Sequence, residues 1–164
     1  MEQQLNLAIK ISVDNWNAML GRTSKVISEI ADEDMQNEVS AGRNTGIYLL
    51  GHLVAVHDRM YELLGLGERK YQHLDDAFLT TPDKSGKTMP AVAELRSQWD
   101  EVNNRLGAAF SAMQPTDWLN KHNAVSAEEF ATQPHRNRLN VLASRTTHLA
   151  EHYGQLLFLK KKAS

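Results

Sequence analysis

Hydrophobic residues recur along most of this chain at the three- and four-residue intervals of a helical face. In the first segment they occupy these positions: Leu5, Ile9, Val13, Trp16, Leu20, Ile27 and Ile30. This spacing predicts an amphipathic helix, because residues at i, i+3 and i+4 lie on one side of an α-helix. Gly21 weakens the pattern in the middle, and we expect a bend there.

A second helix is predicted to begin near Thr45 and to run to Leu64, where Gly65 and Gly67 provide a stop. Its apolar residues form two stripes on different sides: Ile47, Leu50 and Val54, and Leu49, Val56 and Leu63. A helix that is apolar nearly all round belongs in the interior of a protein. We therefore expect this helix to be central.

A third helix is expected after Thr88, with Pro90 in its first turn, and it should end before Pro115. The final helix takes up the apolar positions Leu139, Leu142, Thr146, Leu149, Tyr153, Leu156 and Leu157. The basic run 160–162 suits the C-terminus of that helix, where the helix dipole favours cations.

One short helix is predicted between the third and the last, because Ser126 and Glu129 have the spacing of a capping box and Pro134 closes the segment. No run of residues alternates as a strand would. The pattern thus predicts four long helices and one short one. The fold class is all-α, most simply a four-helix bundle.

Two predicted connections are unusually long, roughly Gly65 to Thr88 and Pro115 to Asn137. At about 3.3 Å per extended residue, each is long enough to run the length of a bundle. Neighbouring helices joined in this way can lie parallel, so a plain up-down-up-down order is not required.

Length and composition restrict the function. At 164 residues the chain fits a single domain, 1–164. It has no cysteine, which excludes disulfides and thiolate ligands, and its net charge of -2 with scattered signs argues against a nucleic-acid surface. We find neither an export signal nor an apolar run of about 20 residues, so we expect a cytoplasmic protein without membrane contact.

The strongest chemical signal is the pair His148 and His152 in the last helix. Four residues of helix place two imidazoles one turn apart on the same face, where both can reach one metal ion. The alternative is that two partly exposed histidines fall at this spacing by chance.

His52 on the second helix is the best candidate for a third ligand, although a core histidine bonded to a backbone carbonyl is the simpler reading. His57 lies about 140° further round the same helix, so only one of the two can join the site. The other histidines fall in loop-like segments and are expected to be solvated: His73, His122 and His135.

Three charged residues close to these histidines in sequence are candidates for a supporting role. Glu151 gives the string from His148 to His152 the H-x-x-E-H pattern of inverted zinc proteases, but the acidic ligand that this class needs downstream is missing. Glu151 stays a candidate catalytic base. Asp58 and Arg59 are candidates for orienting a ligand or holding an anionic group, although surface positions are the simpler expectation.

Two segments, taken together, resemble a known family. They are Thr45-Gly-Ile-Tyr-Leu-Leu-Gly-His52-Leu-Val-Ala-Val-His57 and His148-Leu-Ala-Glu-His152-Tyr-Gly-Gln-Leu156. Both are similar to the metal-site segments of the DinB/YfiT-like superfamily of four-helix proteins, and chain length and helix order agree along essentially the whole sequence.

The resemblance implies one divalent cation, nickel or zinc, bound by His52, His148 and His152. It also implies a homodimer built on bundle helices. Some relatives of this kind are thiol S-transferases that use low-molecular-weight thiols, and others are assigned as metal-dependent hydrolases. This chain shows no motif that specifies a substrate.

Three hypotheses follow. The first is a metal-dependent enzyme, either thiol S-transferase or hydrolase, because three imidazoles leave coordination positions open for chemistry. The second is a non-catalytic metal-binding protein, since no general base is obvious. The third is a helical interaction module with incidental histidines, which requires His52 to lie far from the other two.

Overall fold

The computed structural model describes residues 2–160, and these form helices joined by turns and loops, with only isolated bridges of β type. The five α-helices are α1 (Glu2–Glu29), α2 (Gly46–Leu64), α3 (Val92–Ala112), the short α4 (Ala127–Thr132) and α5 (Arg138–Leu156). Turns of 3-10 helix occupy Asp34–Gln36, Gln72–Leu74, Pro115–Leu119 and Leu157–Leu159, and a π-helical turn occupies Asp76–Thr80. The predicted all-α class is confirmed.

Helix α2 begins and ends where the sequence indicates. The Thr45 hydroxyl accepts a hydrogen bond from the backbone amide of Tyr48, and Gly65 adopts the left-handed conformation with φ 65°. The amide of Leu66 then donates to the Tyr61 carbonyl at 2.8 Å, which closes the helix. Residues are buried on every side of α2, as expected for a central helix.

The predicted start of α3 is wrong by a few residues. Ala91 is extended, with ψ 151°, so the helix starts only at Val92 and Pro90 precedes it. The capping box of α4 is confirmed, with the amide of Glu129 donating to the Ser126 hydroxyl at 3.1 Å. Helix α1 continues without interruption through the glycine at which we expected a bend.

The helix directions follow from contacts between their ends. Helices α1 and α5 are parallel, because Glu29, the last residue of α1, forms an ion pair with Lys160, just beyond the end of α5, at 2.6 Å. Gly46 at the start of α2 lies against Leu159, whereas Gly65 just after α2 lies near Arg138 at the start of α5. Helices α2 and α5 are therefore antiparallel.

Residues 161–164, with the rest of the basic run, lie outside the described residues.

Helices α2 and α3 are parallel. His57 contacts Asn103, and four residues further along α2 Tyr61 contacts Arg105, two residues further along α3. Helix α1 runs against them, since its Ser24 bonds Trp99 near the start of α3 while its Trp16 contacts Phe110 near the end. The order is thus up, down, down, up.

The connection between α2 and α3 makes this order possible by running back along α2. Its successive residues meet earlier and earlier positions of the helix: Tyr71 contacts Asp58, Phe78 contacts His52, Thr81 contacts Tyr48 and Asp83 contacts Thr45. The chain therefore starts α3 at the same end of the bundle as α2. This long connection thus joins parallel neighbours, as the sequence suggested, whereas the second one, from α3 to α5, joins antiparallel helices.

Asp58 is fully buried, so the expectation of a surface position is wrong for this residue. Its carboxylate accepts hydrogen bonds from Arg69 Nε at 3.1 Å and from the amides of Lys70 and Tyr71 at 2.8 and 3.0 Å. A buried carboxylate needs such partners. Asp58 therefore fixes the start of the returning connection and does not reach the histidines. Arg59, its neighbour, is exposed.

Within residues 2–160, every helix is too short or too polar to cross a membrane.

Candidate metal centre

Helices α2 and α5 bring three histidines together at their contact. The Nε2 atom of His148 lies 3.1 Å from that of His52 and 3.0 Å from that of His152. One ring nitrogen from each residue lies within 4.8 Å of the others, and in the described part of the chain this is the one group of three or more potential ligands that meets this condition. The convergence expected from sequence is present. The interaction-module hypothesis required His52 to lie far from the other two histidines, and this requirement is not met.

Two of the rings are held by hydrogen bonds on their outer side. His52 Nδ1 lies 2.9 Å from the Phe78 carbonyl oxygen, which can only accept, so this nitrogen carries the proton. His152 Nδ1 lies 2.8 Å from Gln155 Oε1 and donates in the same way. In the neutral rings, both Nε2 atoms therefore present lone pairs to the centre.

Lone pairs facing one another at this distance need a positive centre between them. A proton on His148 Nε2 points at one neighbour and leaves the other without a donor, whereas one cation satisfies all three nitrogens. Two nitrogens bound about 2.0–2.1 Å from one ion at angles of about 90–110° are roughly 2.8–3.4 Å apart. The observed separations of 3.1 and 3.0 Å fall in this range, so the three histidines fit a divalent metal ion.

Burial favours the neutral form of two of the clustered histidines, His148 and His52. Burial lowers the pKa of His148 to about 4, with further lowering from the neighbouring His152, His52 and Arg145. Burial likewise lowers the pKa of His52, although its bond to Phe78 opposes this. Imidazole must be unprotonated to bind a metal, so these shifts favour binding at neutral pH.

Sequence reasoning missed the two groups that orient the rings. Gln155 follows His152 by three residues on the same helix, a spacing that could have indicated the contact. Phe78 acts through its backbone carbonyl, for which no side-chain pattern exists. Its position in the π-helical turn matters, because carbonyls at the end of a helix lack partners within it.

His57 is the histidine of α2 that stays out of the site, in agreement with the argument that only one of His52 and His57 can join it. It is fully buried between Trp16 and Trp99, with ring centroids 4.9 Å away on each side. Its Nδ1 lies 2.7 Å from Asn103 Oδ1, and burial lowers its pKa to about 3. It is a core histidine that remains neutral. Of the loop histidines, His73 and His135 are exposed, as expected, whereas His122 is partly buried.

Glu151 is exposed on α5 and makes no hydrogen bond or ion pair with any described residue. Its role as a catalytic base stays a prediction.

A cleft of about 360 Å³ lies between α2 and α5, and its lining residues Val56 and Arg145 are four and three residues away from His52 and His148 on the same helices. We call it the arginine cleft, because Arg59 and Arg145 line it; the other lining residues are Val56, Met60, Glu62, Leu63, Asn123 and Ala124. A second cleft, lined in part by Arg43, Gln155 and Phe158, lies near the other end of α5. Substrate-sized space is therefore present close to the cluster.

Comparison with known proteins agrees with the fold and the cluster. A search of curated proteins finds no match to this chain. The family model of the DinB superfamily matches residues 15–156, a span that includes α2, α5 and all three clustered histidines. The chain belongs to the DinB superfamily.

Proposed function

We propose that this protein is a metal-dependent enzyme of the DinB type, a thiol S-transferase or a hydrolase, with nickel or zinc held by His52, His148 and His152. The observation that carries the proposal is the convergence of three Nε2 atoms, two of them with a fixed tautomer. Three protein ligands leave coordination positions open, which is typical of catalytic sites and not of structural ones.

When bound at such a site, a divalent ion makes a coordinated water or thiol acidic enough to act as a nucleophile near neutral pH. The chain itself contributes orientation. Phe78 and Gln155 hold their histidines so that both rings turn the same nitrogen inward. Glu151 is the candidate to accept the proton released from the nucleophile, since it is the carboxylate between the two ligands of α5.

A homodimer is part of the proposal. Leu7 and Ile11 lie four residues apart on α1, and they are 58% and 51% exposed. Two large apolar side chains on one helical face favour contact with a second copy. Sedimentation velocity checks this point, and a monomer at micromolar concentration would contradict it. We place the protein in the cytoplasm.

A non-catalytic metal-binding protein is the second candidate. The absence of any carboxylate bonded to the three histidines, within residues 2–160, favours it. It predicts metal uptake and thermal stabilisation without turnover.

Elemental analysis of protein purified without a histidine tag tests the proposal. We expect one nickel or zinc ion per chain. Losing an outer partner of a metal ligand typically lowers the affinity roughly 10–100-fold, and His148→Ala, which removes a ligand itself, should lower the affinity by more than that. His135→Ala is the matched control, since this exposed histidine lies outside the cluster. Protein that takes up neither metal overturns the proposal. Metal uptake without turnover on thiols and esters supports the second candidate.

A further inference from the structure

We propose that the arginine cleft is a subsite for an oxyanion, so that the substrate is a small molecule carrying a carboxylate or phosphate beside its reacting atom. The inference rests on the proposed function, because it names the substrate class of the same site. It depends on the position of two arginines, on their lack of partners and on the shape of the cleft.

Both arginines lie on the same helical faces as the metal-site histidines. Arg59 follows His52 by seven residues of α2, close to two full turns, and Arg145 precedes His148 by three residues of α5. Because the two helices are antiparallel, both displacements lead towards the same end of the bundle. At 1.5 Å of rise per residue, the backbone positions of Arg145 and Arg59 lie roughly 5 and 10 Å along the helix axis from those of His148 and His52.

Neither arginine has an anionic partner. Ion pairs and hydrogen bonds are absent for both side chains among residues 2–160, and Arg145 Nε is buried without an acceptor. Arginine presents a rigid fork of donors that matches a carboxylate or phosphate, so two unpaired guanidinium groups facing one cleft are suited to an oxyanion. An unsatisfied buried donor is costly, and a bound oxyanion would remove that cost.

The electrostatic surroundings agree with this assignment. Burial and the nearby charge of Arg59 both lower the pKa of Arg145, as expected for two cations with no anion between them. The charge of Arg145 also lowers the pKa of His52 and of His148, so its influence reaches the cluster. The one acidic residue of the wall, Glu62, is exposed, and its carboxylate lies 3.9 Å from the guanidinium of Arg69, which does not line the cleft.

Val56, Met60 and Leu63 of α2 form an apolar side of the cleft, and Asn123 and Ala124 from the loop before α4 complete its wall. Val56 stands one turn after His52 on the same face, between the histidines and Arg59. A short hydrocarbon chain would therefore connect the oxyanion to a sulfur or carbonyl group at the metal centre. The geometry thus fits an acidic thiol or ester better than a neutral one.

The test compares two thiols of equal length on the nickel-loaded protein, 6-mercaptohexanoate and the neutral 6-mercaptohexanol, with dissociation constants from calorimetry. We expect the wild-type protein to bind the acid at least about tenfold more tightly than the alcohol, since one hydrogen bond to a charged group changes affinity by about this factor. In Arg145→Gln the dissociation constants of the two thiols should differ by no more than about twofold. Arg43→Gln, whose arginine lines the second cleft, should retain the wild-type ratio.

Arg59→Gln repeats the measurement at an exposed position, so the test remains valid if Arg145→Gln fails to fold. Competition of the acid by inorganic phosphate and by adipate distinguishes a phosphate site from a carboxylate site. A ratio near one in wild type, or an unchanged ratio in both cleft variants, overturns the inference while leaving the metal site standing.

A second arm separates this inference from the proposed function. Phosphate and adipate are titrated into metal-free protein, where saturable binding that Arg145→Gln and Arg59→Gln weaken supports the oxyanion subsite even if no metal is ever taken up. No saturation by either anion, in a protein that also shows no preference for the acidic thiol, overturns it.

Discussion

Gly51 tests whether the returning connection controls the orientation of His52. This glycine lies in α2 directly before His52, and a Cβ atom added to it would overlap the ring of Phe78. The Phe78 ring is fully buried, so it cannot swing into solvent, and the carbonyl of the same residue accepts the His52 Nδ1 proton at 2.9 Å. Gly51→Ala therefore pushes on the residue that fixes the tautomer.

Two opposing terms decide the effect of Gly51→Ala on stability. Alanine in a helix interior is favoured over glycine by about 1 kcal/mol. Forcing a methyl group into a packed core costs about 1–3 kcal/mol. Gly107→Ala in α3 is the matched control, because a Cβ atom there meets nothing within 4 Å and only the favourable term applies. The difference between the two variants should thus be about 1–3 kcal/mol.

Urea unfolding followed by circular dichroism at 222 nm measures that difference. Competition with a chelator measures the affinity for nickel, which should be about 10–100-fold weaker in Gly51→Ala, as is typical when an outer partner of a ligand is displaced. Nitrogen-15 spectra of the imidazoles in metal-free protein report the tautomer of His52 directly.

The reasoning fails if Gly51→Ala is as stable as Gly107→Ala and binds nickel as wild type does. That result would mean that the Phe78 ring can shift without moving its own carbonyl, so that the connection does not control His52. A loss of stability with unchanged affinity and tautomer would refute only the link from packing to the site.

Two further predictions concern buried polar groups. Asp58→Ala should lower the free energy of unfolding by about 3–5 kcal/mol, because Arg69 Nε and the amides of Lys70 and Tyr71 lose their acceptor. Asp100→Ala, at an exposed position, should change it by less than about 0.5 kcal/mol, and equal denaturation midpoints for the two variants would contradict this. For metal-free protein, stability should fall as pH drops from about 6.5 towards 3, since unfolded His57 takes up a proton that the folded residue, with a pKa of about 3, does not. His57→Gln should make the slope shallower by up to about 1.4 kcal/mol per pH unit in denaturation at pH 4–6, and an unchanged slope would rule out this cause.

Helix ends and ligand spacing could be predicted because their signals are local. Thr45 and Gly65 bound α2 through contacts within a few residues, and the capping box at Ser126 works in the same way. His148 and His152 share a face wherever that helix forms. The angle between His52 and His57 was enough to predict that only one of them joins the site, and the family resemblance identified that one as His52.

Long-range partners could not be predicted. The burial of Asp58 depends on Arg69 and on amides that fold back over α2, and an isolated aspartate in a helix gives no sign of them. The cleft with its two arginines exists only because α2 and α5 are antiparallel, which the long connections permit but do not determine.

The returning connection joins the topology of the bundle to the chemistry of the site. It is fixed to α2 by Asp58 near its start and by Thr45 near its end, where the Thr45 hydroxyl donates to Asp83 at 2.9 Å. Phe78 lies between these two anchors, so the orientation of His52 depends on tertiary structure. His152, by contrast, is oriented by Gln155 within its own helix. Local opening of the connection would release one ligand and leave the two ligands of α5 in place, and for this reason Gly51→Ala should weaken metal binding without abolishing it.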